Sequence, residues 1–348
     1  MEFVPSLNSL RFFGALCVVF THLEASKFLD DQGLGRLTPL VSGATGVTLF
    51  YVLSGFLLTS LAIAEVRKCG YFSFGKFFLR RALRLFPLYY LAILCVFILH
   101  LFNQTEVSMT SYLYALGYSY NFVPKEEYNG LLGSFHTLGT EEHFYLLFGF
   151  VFMLAASCFH KFWYQIIPIL FFSLWVLSNA LRTIAIAFEE DFFVDRWTLF
   201  AIQPILIGVF AAFVFRAIRV ESALNAIKSR GRVGYLASVL TFIFLILFVS
   251  QVWVQNEFLL SVGFVFLVIS LVLDSTSHLS VALSMRPLVY LGTISYGLYI
   301  WQAVVNGTGP NARWIESPWL STLLVFMLSM ASYKYFENPI LKQKNRFY

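Results

Sequence analysis

An arginine and a histidine lie within the first apolar segment of this sequence, LNSLRFFGALCVVFTHLE. Arg11 and His22 are about three turns of α-helix apart, which places both side chains on one helix face, about 16 Å from each other. An ionisable residue inside a membrane costs about 2.5–3.5 kcal/mol on insertion scales and usually faces a protein interior or a wet cavity. The pair therefore predicts a polar pathway. The alternative is that Arg11 snorkels inward while His22 lies at the outer headgroups.

Three arginines lie close together at the start of a later apolar segment, in FGKFFLRRALRLFPLYY. On a helix, Arg84 lies about one turn after both Arg80 and Arg81, which brings the three guanidinium groups together. Because these groups repel one another, an anion is expected between them, and the planar guanidinium suits phosphate oxygens. The cluster predicts a phosphate site. A topology signal or anchoring to lipid phosphate is the alternative.

Two adjacent glutamates lie where a further apolar segment begins, in GSFHTLGTEEHFYLLFGFVF. Thr140 suits the N-cap of a helix, and the helix dipole favours acids in the first turn, an explanation that requires no function. A carboxylate beside a histidine can also orient the imidazole and stabilise the cation that forms when it takes a proton. Glu141 or Glu142 is therefore expected to serve His22, provided that the first and fourth spans pack together.

The composition is that of a polytopic membrane protein. Of the 348 residues, 59% are hydrophobic and 12% are charged, whereas soluble domains have about 45–50% and 25%. Mean hydropathy is +0.74. The expected fold is all-α, with one integral-membrane domain over residues 1–348 and no separate soluble domain. Runs long enough for spans of about 20 residues occur near 3–23, 43–64, 82–102, 141–159, 163–187, 196–215, 234–254, 257–275, 288–306 and 317–336.

The charges between these runs orient the chain. With ten spans, the segments on one side of the membrane carry 17 Lys and Arg residues, and those on the other side carry five. This asymmetry is the positive-inside pattern and places both termini in the cytoplasm. A short run at 109–122 is predicted to be a re-entrant or interfacial helix, because an eleventh span would put the basic segment 216–233 outside.

The other composition features exclude several classes of function. The net charge of +5 comes from basic residues divided among the loops, where they set topology and attract anionic lipid, so no nucleic-acid partner is predicted. The four cysteines, Cys17, Cys69, Cys95 and Cys158, have neither metal-site nor disulfide spacing. No metal site is predicted.

Six segments, in chain order, resemble motifs of the membrane-bound type-3 acyltransferase family, whose members O-acylate bacterial surface glycans and related molecules. They are LNSLRFFGALCVVFTH, GVTLFYVLSGFLLT, FFLRRALRLFPLYY, HTLGTEEHFY, LGTISYGLYIWQ and YKYFENPI. Three positions depart from the family pattern: His136 stands where tryptophan is frequent, His143 replaces a glutamine, and Gln302 takes a position that is frequently histidine.

The resemblance implies transfer of an acyl group, most often acetyl from acetyl-CoA, to a glycan hydroxyl on the far side of the membrane. Residue chemistry fits this implication, because Arg80, Arg81 and Arg84 can bind the phosphates of the donor. Histidine has the near-neutral pKa that a general base for a hydroxyl requires. His22 is therefore expected to be the base, with an acyl-histidine route as the alternative, and Arg11 is expected to contact the thioester or a developing oxyanion.

The expected partners are the acyl-CoA donor, a glycan or lipid-linked saccharide acceptor such as a lipopolysaccharide precursor, and membrane lipids. The expected location is the bacterial inner membrane. The acyl group that is transferred could also be succinyl or a longer chain. The acceptor could also be an antibiotic or a peptidoglycan sugar. The alternative function is a lipid-glycan flippase or another transporter. It would use the same buried charges, but it does not need a phosphate site at one end of its substrate pathway.

The charge asymmetry gives a test of topology. In a variant without native cysteines, a single cysteine placed within 216–233 should be protected from a membrane-impermeant thiol reagent in intact cells. A cysteine placed at Asp191 should react. Permeabilised cells provide the control, in which both positions should react, and the reverse pattern in intact cells would contradict the orientation.

Overall fold

A computed structural model describes residues 4–23, 29, 31–33, 35, 38, 41–102, 106–217, 220, 236, 239–244, 257–307 and 317–343. Within these ranges the chain is almost entirely helical, and the strand-like pairing found there is one isolated antiparallel bridge between Pro124 and Phe192. The all-α prediction is therefore confirmed for the described residues.

Fourteen α-helices of the described residues are numbered here in chain order. α1 to α7 are Pro5–His22, Gly43–Cys69, Phe74–Leu101, Met109–Leu116, Phe135–Cys158, Trp163–Ala185 and Thr198–Ala201. α8 to α14 are Gln203–Phe215, Glu257–Leu273, His278–Leu283, Arg286–Thr293, Ser295–Asn306, Pro318–Ser332 and Asn338–Gln343. A π-helix, Tyr333–Glu337, joins α13 to α14. Short 3₁₀ helices occur at Tyr120–Phe122, Lys125–Glu127, Gly130–Leu132, Ile186–Phe188 and Val194–Arg196.

Four helical stretches of the described residues are long and apolar enough to cross a membrane: Gly43–Cys69, Phe74–Leu101, Gly130–Cys158 and Trp163–Arg182. The pair α11 and α12 adds a fifth if it forms one broken span, while α8 and α9 are shorter apolar helices. These helices fit the predicted membrane protein. The count of ten spans and the orientation stay predictions, and most of the predicted span 234–254 lies outside the described residues.

The predicted short helix within 109–122 is present as α4, which has eight residues. At a rise of about 1.5 Å per residue, α4 is about 12 Å long, which is too short for a span. Its placement as a re-entrant or interfacial helix stays a prediction.

The chain divides into two compact units. Unit 1 comprises Met1–Phe72, Ala155–Ser173 and Gln203–Thr293, and unit 2 comprises Ser73–Leu154, Leu174–Ile202 and Ile294–Tyr348. The boundaries fall inside α5 and α6, so each of these two helices contributes residues to both units.

Unit 1 is held together by helix pairs that approach closely at glycines. A Cβ atom added at Gly55 of α2 would lie 2.1 Å from the carbonyl oxygen of Ile205 in α8, and one added at Gly208 would lie 2.4 Å from that of Val52. The two glycines therefore let the backbones of α2 and α8 touch, as small residues do in membrane helix pairs. A third contact brings Gly46 of α2 against α1.

Unit 2 is ordered by aromatic packing and by buried hydrogen bonds between helices. Phe144, Phe148 and Phe152 follow one another along α5, are fully buried and pack ring against ring. The Tyr296 hydroxyl of α12 donates to the Leu85 carbonyl of α3 at 2.8 Å. The Gln302 amide, also in α12, donates to Ser134 Oγ at 2.8 Å. These bonds fix α12 against α3 and against the start of α5.

The close approach of α2 and α8 gives a test of unit 1. Gly55→Ala places a methyl group against backbone that cannot move aside, so we expect a loss of about 1–3 kcal/mol of stability or more, the cost of overpacking. Gly75→Ala is the control, because a Cβ there meets nothing within 4 Å. Thermal unfolding of the purified protein in detergent measures both variants, and equal stability of the two would contradict the packing.

Candidate active site

Arg11 is positioned in unit 1 through a hydrogen-bonded neighbour. Its Nη1 donates to Asn8 Oδ1 at 3.3 Å, one turn earlier on α1. Asn8 Nδ2 in turn donates to the Val289 carbonyl at 2.9 Å and to Thr293 Oγ1 at 3.0 Å, both on α11. The guanidinium of Arg11 is therefore tied to a polar network that links α1 with α11.

His22 is the last residue of α1 and is half-buried. A basic side chain in the last turn complements the helix dipole. Its neighbour Thr21 fixes this end of the helix, because Thr21 Oγ1 accepts a hydrogen bond from the Gly43 amide at 2.5 Å, where α2 begins. One continuous helix thus carries Arg11 and His22, as the spacing predicts.

The predicted arginine cluster lies on α3 in unit 2. Arg81 lies over the Tyr145 ring, with its Cζ 5.1 Å from the ring centroid, and Arg84 is close enough to Arg81 for their charges to repel. Neither Arg81 nor Arg84 donates a hydrogen bond to another residue of the described ranges. Arg80 precedes them on the same helix and is half-buried. Two neighbouring guanidinium groups thus keep their fork-shaped donors for an external acceptor.

Glu337 belongs to the surroundings of this cluster, although the sequence analysis did not single it out. It lies at the end of the π-helix, is buried, and accepts a hydrogen bond from Ser332 Oγ at 3.1 Å. Ser332 also accepts one from Trp301 Nε1 at 3.0 Å. Glu337 and Arg84 interact electrostatically, and burial nevertheless raises the pKa of the Glu337 carboxyl to about 7. The FENPI motif contained this acid, but nothing in the sequence connected it with α3.

The helix that carries the paired glutamates begins earlier than predicted. α5 starts at Phe135, so Glu141 and Glu142 lie beyond its first turn, and the prediction of Thr140 as the N-cap is wrong. Thr140 Oγ1 instead donates to the His136 carbonyl at 3.2 Å, within the helix. The helix dipole therefore does not account for the two acids.

Glu142 is the least compensated acid described in unit 2. Its side chain is 4% exposed, and neither carboxylate oxygen has a hydrogen-bond partner among the described residues. The charge of Arg81 acts on it favourably, whereas that of Glu141 acts against it. A buried carboxylate without hydrogen bonds is unfavourable for stability, which indicates a role other than folding.

The three departures from the family pattern have polar partners within unit 2. His136 Nδ1 lies 2.5 Å from the Gly133 carbonyl oxygen, and His143 Nδ1 lies 2.7 Å from Thr198 Oγ1. Gln302 is fully buried and bonds to Ser134 as described above. Within the described ranges, no three His, Cys, Asp or Glu side chains are grouped to hold a metal ion.

Unit 2 therefore brings Arg81, Arg84 and Glu142 into one charged neighbourhood. Arg11 and His22 belong to unit 1. The pairing of His22 with Glu141 or Glu142 stays a prediction, as do the catalytic roles of all these residues.

Comparison with known proteins assigns the chain to a family. Residues 4–332 match the model of an acyltransferase domain. The chain is 26% identical to the O-acetyltransferase OatA of Staphylococcus aureus, over 98% of this chain and 58% of that protein. It is 27% identical to the peptidoglycan O-acetyltransferase OatA of Listeria monocytogenes, over 98% of this chain and 56% of that protein.

A third relative is the putative peptidoglycan O-acetyltransferase YrhL of Bacillus subtilis, which is 28% identical over 98% of this chain and 55% of that protein. The chain thus spans somewhat more than half the length of these relatives. No solved structure matches it significantly. Because the domain match covers nearly the whole chain, this protein belongs to the type-3 acyltransferase family.

Proposed function

We propose that this protein is a membrane O-acetyltransferase that moves acetyl from cytoplasmic acetyl-CoA to a hydroxyl of a cell-surface glycan. One observation supports the binding of the acetyl-CoA donor. The guanidinium groups of Arg81 and Arg84 are adjacent and donate no hydrogen bond within the described residues. Like charges held together in this way are stabilised by a bound anion, and coenzyme A carries several phosphate oxygens that suit guanidinium forks.

The acceptor half rests on α1. In the proposed reaction, His22 takes the proton of the acceptor hydroxyl while the hydroxyl oxygen attacks the thioester carbonyl carbon. The carbon–sulfur bond then breaks, the acetyl ester forms, and the thiolate of coenzyme A leaves. Arg11 stabilises the negative charge on the carbonyl oxygen during the attack. In the alternative route, the imidazole of His22 first carries the acetyl group and then passes it to the hydroxyl.

The acceptor is proposed by chemical class. Two of the relatives bear the name of peptidoglycan O-acetyltransferases, so a peptidoglycan sugar is the first acceptor to test, with other surface glycans next. The positive-inside pattern supports a donor site in the cytoplasm of a bacterium, with the protein in its inner membrane. Membership of an acyltransferase family favours this reaction over the flippase alternative.

The donor site is tested at Arg84. Arg84→Ala should weaken acetyl-CoA binding by about 1.5–3 kcal/mol, the usual contribution of hydrogen bonds to charged groups. Arg84→Lys should restore only part of the affinity, because an ammonium group cannot reproduce the fork. Isothermal titration of the purified protein measures both variants. Lys76→Ala, which removes an exposed positive charge from the same helix, is the control and should bind normally. Normal binding by Arg84→Ala would reduce the cluster to a topology signal.

The acceptor chemistry is tested at His22. His22→Ala should insert and bind acetyl-CoA normally while glycan acetylation falls by about 10²–10⁴-fold, the usual contribution of a positioned acid–base group. The measurement is acetyl incorporation into surface glycan in cells with matched protein abundance. His160→Ala, at an exposed position, serves as the control. Glu141→Gln should lower turnover if its carboxylate orients the imidazole. Acetylation near the wild-type level in His22→Ala would remove His22 from the chemistry.

A further inference from the structure

Tyr118 has an unusual backbone and an unsatisfied hydroxyl. It follows the end of α4 with φ at 56°, in the left-handed region that few residues other than glycine adopt. Its ring stacks on Tyr89, with the centroids 3.8 Å apart and the planes at 13°. The side chain is 7% exposed, yet its hydroxyl has no hydrogen-bond partner among the described residues. The backbone therefore directs this hydroxyl to a buried position where the described protein offers it no acceptor.

Glu142, in the same unit, lacks hydrogen-bond donors, whereas the Tyr118 hydroxyl lacks an acceptor. Both of its buried oxygens lack a hydrogen-bond donor within the described ranges. A carboxylate accepts hydrogen bonds and a tyrosine hydroxyl donates one, so the two side chains together present acceptors and a donor. Almost all buried polar groups in proteins are satisfied, and two unsatisfied groups close together indicate an absent partner.

The packing of α5 brings the Tyr118 and Glu142 residues near each other. A Cβ atom added at Gly139 would lie 2.4 Å from the Tyr118 carbonyl oxygen, so the backbone at Tyr118 rests directly on α5. Glu142 lies three residues after Gly139 and thus on the same helix face. The Glu142 carboxylate is close enough to act electrostatically on the Tyr118 hydroxyl. One turn further along this face, Tyr145 lies beneath Arg81.

We propose that Glu142 and Tyr118 form a second donor subsite, which binds an amide of the pantetheine arm of acyl-CoA beside the phosphate site at Arg81 and Arg84. This inference rests on the proposed function. The amide N–H donates to one oxygen of the Glu142 carboxylate, and the amide carbonyl accepts from the Tyr118 hydroxyl. Because the N–H and C=O of a trans amide point in opposite directions, the amide lies between the two side chains. An arm that leaves the phosphate site along α5 meets Tyr145 first and Glu142 one turn later.

The subsite is tested with two probes that share all three phosphate groups. Coenzyme A contains the pantetheine arm, whereas adenosine 3′-phosphate 5′-diphosphate, called the nucleotide probe below, lacks it. Tyr118→Phe retains the ring stack and removes the hydroxyl, so the affinity for coenzyme A should fall about 2- to 10-fold while that for the nucleotide probe is unchanged. Glu142→Gln should lower coenzyme A affinity about 10-fold or more. Its affinity for the nucleotide probe should be unchanged or higher, because the substitution removes a negative charge beside Arg81.

Tyr112→Phe is the matched control. The Tyr112 hydroxyl in α4 is likewise buried and without a partner among the described residues, but its ring packs on Phe97 and His100. This variant should bind both probes normally. Binding of the nucleotide probe also reports that each variant is folded.

The outcomes separate this subsite from the phosphate site. Unchanged coenzyme A affinity in both Tyr118→Phe and Glu142→Gln would overturn the subsite, as would an equal loss for the two probes. Arg84→Ala should weaken both probes alike. If Arg84→Ala weakens the binding of neither probe while Tyr118→Phe still weakens the binding of coenzyme A, the phosphate site is contradicted and the amide subsite is supported.

Discussion

The arrangement of polar groups in this protein depends on the cost of holding ionised side chains within apolar helices. A charge at the centre of a membrane span costs about 2.5–3.5 kcal/mol even on the mildest scales, and a buried charge without a partner costs several kcal/mol in a protein interior. Arg81, Arg84 and Glu142 all lie on helices long and apolar enough to cross a membrane. A chain selected only for stability would replace them with apolar residues. Glu337 beside Arg84 and Glu142 beside Arg81 offset part of this cost within the protein, and we propose that a bound donor offsets a further part.

The two units compensate the free-energy cost of their buried charges in different ways. In unit 1, Arg11 bonds to Asn8, and Asn8 is held by two oxygen atoms of α11, so the charge is supported by a fixed neutral network. In unit 2, Arg81 has the π face of Tyr145, an interaction that leaves its N–H donors available. The first arrangement suits an electrostatic role at a fixed point, and the second suits a cation that must bind and release a ligand.

The sequence predicts the helices better than it predicts the site. Hydropathy located α2, α3, α5 and α6, because long apolar runs leave few alternatives to a helix. It placed the start of α5 too late, because the apolar run begins at Glu141 and Thr140 suits an N-cap, whereas the structure begins the helix at Phe135. The arginine cluster follows from helical spacing alone. Tyr118 and Glu337 could not be predicted, because each meets its charged neighbours only through contacts between distant segments.

We explain the unsatisfied polar groups of unit 2 by the proposed binding of a ligand. Hydrogen bonds from neighbouring side chains would stabilise the buried Glu142 and Tyr118 groups, but they would also compete with a ligand for the same atoms. On the proposed function, the best ligand is a molecule that brings phosphate oxygens to Arg81 and Arg84 and an amide to Glu142 and Tyr118. On the proposed function, free phosphate would bind only the arginines, and a neutral amide would bind only Tyr118 and Glu142. A coenzyme A thioester is therefore expected to bind more tightly than either fragment.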